Sequence, residues 1–234
     1  MDPNELIKAA PELAKGAGAL AAAIPFTAIV KRMLGPAADE LAEILRDQVR
    51  LYRYERQLKC LEKAERMALE AGFTPQAVPP KILFPLLDGA SFEGDESLHD
   101  MWSALLANAA SPSGIELVRP GFIAILRGLA PDEAALLNWL YETADDSMPP
   151  LNQATLIDAY VKLGFAPKEA DSRQQQLKES QSFIQKFAAC RDSLESARLL
   201  RRSSGENDVT HYSLSLSGRA FVGLCRPPKA NANG

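Results

Sequence analysis

Apolar residues recur at helical spacing over most of the chain, and proline and glycine set the breaks between runs. Residues 4–22 predict a helix with Asn4 as its N-cap. After Pro25 a short apolar piece, 26–33, runs to Gly35-Pro36. Pro36 suits the first turn of a second helix, and Asp39 and Glu40 sit where the helix dipole favours acids. Gly72 supplies its stop, near Ala71. Within this long helix Leu41, Ile44, Leu51, Tyr54, Leu58 and Leu61 recur at spacings of three, four and seven and mark one buried stripe. Residues 73–91 are proline-rich yet apolar. They read as a connector pressed onto the core through Ile82, Leu83, Phe84 and Leu87. Residues 95–111 predict a helix capped by Asp95, with Leu98, Trp102, Leu105 and Leu106 on its apolar face.

"SPSGIELVRPG", residues 111–121, breaks the pattern and marks a domain boundary. Helices are predicted at 120–129, 131–144 and 151–163, and residues 166–196 continue as one long helix or two. "ARLLRR" (197–202) leads to a turn-like "SSGEND" (203–208). In "VTHYSLSLS" (209–217), Val209, His211 and Ser213 alternate with Thr210, Tyr212 and Leu214, the period of a hairpin strand. "GRAFVGLC" closes as a short helix. Three helices, a hairpin and a return helix are the succession of a winged helix. The expected fold is mainly α. It comprises an N-terminal helical domain over 1–115 with a long helix, a winged-helix-like domain with a small β-hairpin over 116–226, and a loose tail over 227–234.

Charge changes this picture only when taken by region. The net charge of −4 argues against a general polyanion binder, but residues 71–160 hold 3 basic and 12 acidic side chains, whereas 161–234 hold 12 and 7. An electrostatic partner would therefore favour the C-terminal third. Three widely spaced cysteines, Cys60, Cys190 and Cys225, fit a reducing compartment better than a disulfide scaffold. The acidic start Met-Asp-Pro-Asn-Glu lacks the basic region of a secretory signal, so a cytoplasmic location is expected. Residues 17–30 are uncharged and flanked by Lys15 and by Lys31-Arg32. As a helix they would reach roughly 21 Å, short of a bilayer core of about 30 Å, and Pro25 interrupts them. Tight internal packing is the expected role, with membrane contact as the alternative.

"LGPAADELAEILRDQVRLYRYERQLKCLEKA", then "LHDMWSALLANAASP", "FIAILRGLAPDEAALLNWLY" and "YSLSLSGRAFVGLC" resemble, in order and spacing, the abortive infection alpha (Abi-alpha) family of bacterial proteins. The resemblance spans roughly residues 33–225. It implies a place in abortive-infection or phage-defence systems. It brings no agreed catalytic motif, so no functional residue is carried over. The closing segment is also similar to the last strand and helix of many winged-helix domains. A Thr often precedes the turn in those domains; here Ser215 and Ser217 occupy the stretch.

Catalytic constellations are sparse. With His99 and His211 as the whole histidine complement, a Ser-His-Asp arrangement has little to draw on. His211 on a strand beside Tyr212 and Ser213 reads as a wing histidine with surface contacts. Glu96, His99 and Asp100 at i, i+3 and i+4 could offer two metal ligands from one helix face. No second ligating pair lies near, and a helix N-terminus favours acids on its own. There is no Walker-type or dinucleotide glycine motif and no CxxC pair. No cofactor, metal or enzymatic activity is expected.

Binding is the better-supported role. Lys178, Lys186, Arg191, Arg198, Arg201 and Arg202 place positive charge on the third helix of the C-terminal domain and its exit, as a phosphate-contacting winged helix requires. Glu179, Asp192 and Glu195 are interleaved with them, and such modules also serve protein–protein contacts. A weaker candidate partner face is Arg46, Arg50 and Arg53, within about 60° of one another on a helix. Glu43 and Asp47 can neutralise Arg46 and Arg50 by i,i+3 pairing, so a self-paired solvated face is the default there. The expected function is a non-enzymatic sensor, regulator or interaction module of antiphage defence, with a protein partner or self-association. The alternatives are a nucleic-acid-binding regulator and a membrane-acting effector using residues 17–30.

Overall fold

The computed structural model describes residues 51–112, 114, 116–143, 151–167, 172–204 and 209–229. The expected helix over 4–22, the pieces at 17–30 and 26–33, the helix start at Pro36, and Arg46 and Arg50 lie outside the described residues. So do residues 205–208 of the expected turn and 230–234 of the tail.

Helix α1 occupies Leu51–Glu70. It stops where expected: Gly72 takes φ 83°, Phe73 N–H donates to the Ala68 carbonyl at 3.1 Å and Gly72 N–H to Leu69 at 3.0 Å. This left-handed closure pairs carbonyls that a helix end leaves orphaned. The buried face is displaced from the expected stripe. Leu61 is buried, but Tyr54 and Leu58 are only half-buried, and Cys60, Ala64 and Ala68 carry the contact. Small side chains there let the next helices approach closely.

The expected connector at 73–91 is in fact largely a helix, α2, Pro80–Phe92. Pro79 is extended (φ −57°, ψ 141°), and Pro80 sits in the first turn, where its missing N–H is no loss. Pro85 lies inside the helix, which sequence rules read as a break. The carbonyl it leaves unpaired, four residues back, belongs to exposed Lys81, so water can satisfy it. Ile82, Leu83 and Leu87 are buried as expected, and Phe84 is half-buried.

Helix α3, Glu96–Ala109, is capped by the Asp95 carboxylate, which accepts from Leu98 N–H at 3.0 Å. Its expected apolar residues Leu98, Trp102, Leu105 and Leu106 are all buried. Gly89 in α2 packs directly against the Trp102 indole; a Cβ there would stand 2.3 Å from Cη2. Helices α4 (Pro120–Gly128) and α5 (Pro131–Thr143) each begin with proline. Glu133 closes a capping interaction on α5 by accepting from Ala130 N–H at 2.7 Å.

The helix expected over 151–163 is divided. Strand β1 (Leu151–Asn152) comes first, then α6 (Gln153–Tyr160), capped by Asn152, and a wider turn at Val161–Phe165. Gly164 closes that turn at φ 96°, a region only glycine enters freely. Helix α7 is a single helix, Arg173–Ser196, followed by β2 (Leu200–Ser204), β3 (Thr210–Leu214) and α8 (Leu216–Leu224). The sheet is antiparallel with order β1-β3-β2; Tyr212 faces Leu151 on one side and Arg202 on the other. The molecule is thus mainly helical with a small C-terminal sheet, as expected. Strand β1 is the unexpected addition.

The apolar core is one connected cluster reaching from Cys60 in α1 to Cys225 after α8. Two polar ties hold α8 in place. The Asn108 side-chain amide on α3 donates to the carbonyls of Leu224 and Arg226, both at 2.9 Å. Ser215 donates its N–H to Leu199 at 2.9 Å and its hydroxyl to Arg198 at 2.6 Å. Among the described residues no helix is long and apolar enough to cross a membrane.

Candidate recognition surface

The composition of α7 changes at its middle. Phe183, Phe187, Cys190 and Leu194 recur at i, i+4, i+7 and i+11; the last three are buried and Phe183 half-buried. They dock the second half of the helix against the core. Tyr160 gathers the aromatic members, with ring centroids 6.0 Å from Phe183, 5.4 Å from Phe187 and 4.9 Å from Phe165. Its hydroxyl donates to Asp132 at 2.5 Å. Before Phe183 the sequence offers Leu177 alone as a large apolar residue, and among the described residues nothing buries it. Arg173 through Lys178 are all exposed, and Leu177 and Ile184 stay 60% and 63% exposed. Up to Lys186 this 24-residue helix therefore holds no buried residue, and most of its first half is exposed.

The six C-terminal cations expected from the sequence fall into two groups. Arg191 is half-buried and neutralised, 2.7 Å from Asp192 and 3.7 Å from Glu195. Lys178, Lys186, Arg198, Arg201 and Arg202 are exposed, and among the described residues their side chains have no hydrogen-bond or ion-pair partner. Of the three interleaved acids, Asp192 and Glu195 are thus turned to one arginine, while Glu179 is half-buried. Arg201 and Arg202 sit on β2, the sheet edge, facing opposite sides because successive strand residues alternate. Arg198 ends α7 in the left-handed region at φ 59°, where glycine is the usual occupant. Sequence reasoning missed Arg173, exposed in the first turn of α7, and the glutamines around Lys178. The signal for them was the absence of apolar spacing before Phe183.

Arg53 is placed differently from the solvated face expected of it. Its guanidinium donates to Asp88 at 2.7 Å and Ser91 at 3.1 Å, and lies 4.0 Å over the Phe92 ring. It fastens α1 to α2, and Arg127 reaches the same Asp88 carboxylate at 2.8 Å.

Glu96, His99 and Asp100 do lie on one face of α3, but cations of α1 occupy the carboxylates. Glu96 receives Lys59 at 2.9 Å, Arg56 at 2.6 Å and Lys63 at 3.2 Å, and Lys63 also bonds Asp100. Those hydrogen bonds hold the Glu96 carboxyl well below the usual carboxylate range. His99 is fully buried, and its Nε2–H donates to the Arg56 carbonyl at 3.0 Å. Nδ1 is buried without a partner, so a proton there would be unsatisfied. Burial lowers the His99 pKa; the Arg56 and Lys63 charges act the same way, while the Arg56 carbonyl and Glu96 oppose them. Among the described residues no group of three His, Cys, Asp or Glu converges as metal ligands would. The thiols are buried too, and burial pushes Cys60 up to about 12 and raises Cys190 and Cys225 as well. None is poised as a nucleophile.

The His99 arrangement gives a pH signature. A depressed folded-state pKa means that the unfolded chain binds the extra proton first, so stability falls as pH drops below 6.5. A further decline begins below 4.5, as the unfolded chain takes up the proton that folded Glu96 resists. Urea titrations from pH 8 to pH 3 should show the first loss clearly and the second as a smaller one, because Glu96 is exposed and its ion pairs are screened. His99→Gln, whose amide can still reach the Arg56 carbonyl, should remove the first and spare the second. An unchanged curve in that variant would contradict a buried neutral imidazole.

The abortive infection alpha family model matches residues 53–201, well over half of the chain, and the protein belongs to that family. The match begins at Arg53 in α1 and ends at Arg201 in β2, so it takes in α7 and most of the cations described above. No curated protein and no solved structure shows a significant similarity to the chain.

Proposed function

We propose that the protein is a non-enzymatic recognition component, a sensor or regulator, of abortive-infection defence, and that α7 and β2 form its working surface. The observation that carries this reading is the unburied first half of α7 beside five cations that have no partner among the described residues. A helix that only completes a core has no use for about ten residues beyond it, and unpaired cations gathered on α7, its exit and β2 repel one another. Family membership supports the defence context. The order α5, β1, α6, α7, β2, β3, α8, with β3 between the other strands, is compatible with the winged-helix-like reading of the sequence, and that reading supports a recognition role for α7. Fold alone does not choose the partner.

The test is protection. Cells carrying the gene, with whatever neighbours the defence requires, are challenged with phage, and plaque counts are compared with a variant carrying Lys178→Glu, Lys186→Glu, Arg201→Glu and Arg202→Glu. These positions are exposed and unpaired, so the far-ultraviolet spectrum and melting temperature should stay near the parent's. Loss of protection in a folded variant is the expected result. Full protection would remove α7 and β2 from the mechanism.

A further inference from the structure

The outward side of α7 has a chemistry that its net charge conceals. At 100° per residue, Gln174, Lys178, Gln181 and Gln185 form one row at i, i+4, i+7 and i+11, all exposed. Between Arg173 and Arg191 the sequence holds a single acid, Glu179, which lies about 100° round from Lys178 and is half-buried. The row is therefore free of carboxylate and carries side-chain amides able to donate and accept together. It spans about 17 Å, on the scale of a major groove about 12 Å wide. Protein-binding patches are enriched in aromatic residues and methionine and depleted in lysine at their cores; this row has the opposite composition.

Resting on the reading of α7 and β2 as the working surface, we infer that its ligand is duplex DNA. The first half of α7 enters the major groove, and the cations of α7, Arg198 and β2 meet the flanking phosphates. Three observations converge. The half of the helix that projects is the N-terminal half, the part that contacts base edges in helix-turn-helix proteins. The unpartnered cations lie on both sides of the buried stretch, on α7 itself and on the β2 edge. Arg198 also holds a guanidinium at a left-handed position where glycine would be easier. Glutamine pairs bidentately with adenine N6 and N7, so Gln181 and Gln185 supply a preference for adenine-bearing sites. Leu177 and Ile184, on the flank of the row, can lie against thymine methyl groups.

The experiment uses the full chain and a fluorescein-labelled random duplex of about 20 base pairs, with a single strand of equal length as competitor, titrated by anisotropy from about 50 to 300 mM salt. The expected result is duplex binding with a log–log salt slope on the order of −4, from four or five neutralised phosphates. Lys178→Glu with Arg201→Glu and Arg202→Glu should weaken it at least about tenfold and flatten the slope. Gln181→Ala with Gln185→Ala should keep the slope while losing the adenine preference found by selection from a random pool. No duplex binding at the lowest salt, tighter binding to single strand, or indifference to charge reversal would overturn the inference. The two readings separate cleanly. If the charge variant stops protecting cells but the parent binds no duplex, the surface is functional and its ligand is a protein, for which Leu177 and Ile184 are the anchors. If the variant loses duplex binding yet protects fully, DNA binding stands and the defence role of the surface falls.

Discussion

Gly89→Ala lowers the melting temperature by about 2–8 °C, the expected result of forcing a methyl group into the Trp102 ring. Two effects compete. Alanine is favoured over glycine inside a helix by about 1 kcal/mol, which alone would raise stability. Against this, the new carbon would stand 2.3, 2.6 and 2.8 Å from Cη2, Cζ2 and Cζ3. Trp102 is 1% exposed, and its rigid ring has no free direction in which to retreat. Overpacking of this kind costs about 1–3 kcal/mol and sometimes more, so the clash outweighs the propensity gain. Gly121→Ala in α4 is the control, since nothing lies within 4 Å of a Cβ there; it should be neutral or slightly stabilising. Trp102→Phe should partly rescue Gly89→Ala, because the two sites share one contact. Thermal melts followed by circular dichroism decide the matter. A Gly89→Ala protein as stable as the parent would mean that α2 and α3 are not in this close contact.

Tyr160→Ala should remove about 3–5 kcal/mol, the usual toll for deleting a buried aromatic ring. The residue is 2% exposed and sits where α5, α6 and α7 meet. Tyr160→Phe keeps the ring contacts and loses only the hydrogen bond to Asp132, so it should cost about 1.5–3 kcal/mol. The difference isolates the aromatic cluster. Urea denaturation gives the totals, and hydrogen exchange gives the location: amides from Phe183 to Leu194 should exchange faster in Tyr160→Ala than in Tyr160→Phe. Equal exchange in the two variants would show that α7 is anchored elsewhere. The same residue would govern the proposed recognition surface, since an overhanging helix can be aimed only if its other half is held.

Local signals were legible in the sequence. Asp95 and Gly72 act at the positions read for them, because a cap or a left-handed stop depends on a few neighbouring residues. The α3 face built on Leu98 and Trp102 was equally plain. Helix α2 was hidden because Pro85 normally removes a needed hydrogen bond; only the three-dimensional position of Lys81, facing water, makes that loss harmless. Strand β1 has two residues, too few for any period to register. The candidate site was half visible. The cations could be counted, but not that Asp192 and Glu195 would both turn to Arg191. Likewise Arg53 shares a helical face with Arg46 and Arg50 in projection, yet its partner Asp88 lies on another helix.

The family match stops at Arg201, within the first strand of the β2–β3 hairpin. The core does not stop there: β3 supplies Tyr212, and α8 supplies Phe221 and Val222, all buried, while Asn108 needs the carbonyls of Leu224 and Arg226. A fragment ending at Arg201 would leave β1 and β2 without the strand between them and an open apolar wall along α5. Such a fragment would aggregate rather than report on the domain. Shortening this chain should therefore respect the end of α8, since the family match and what must fold together end at different residues.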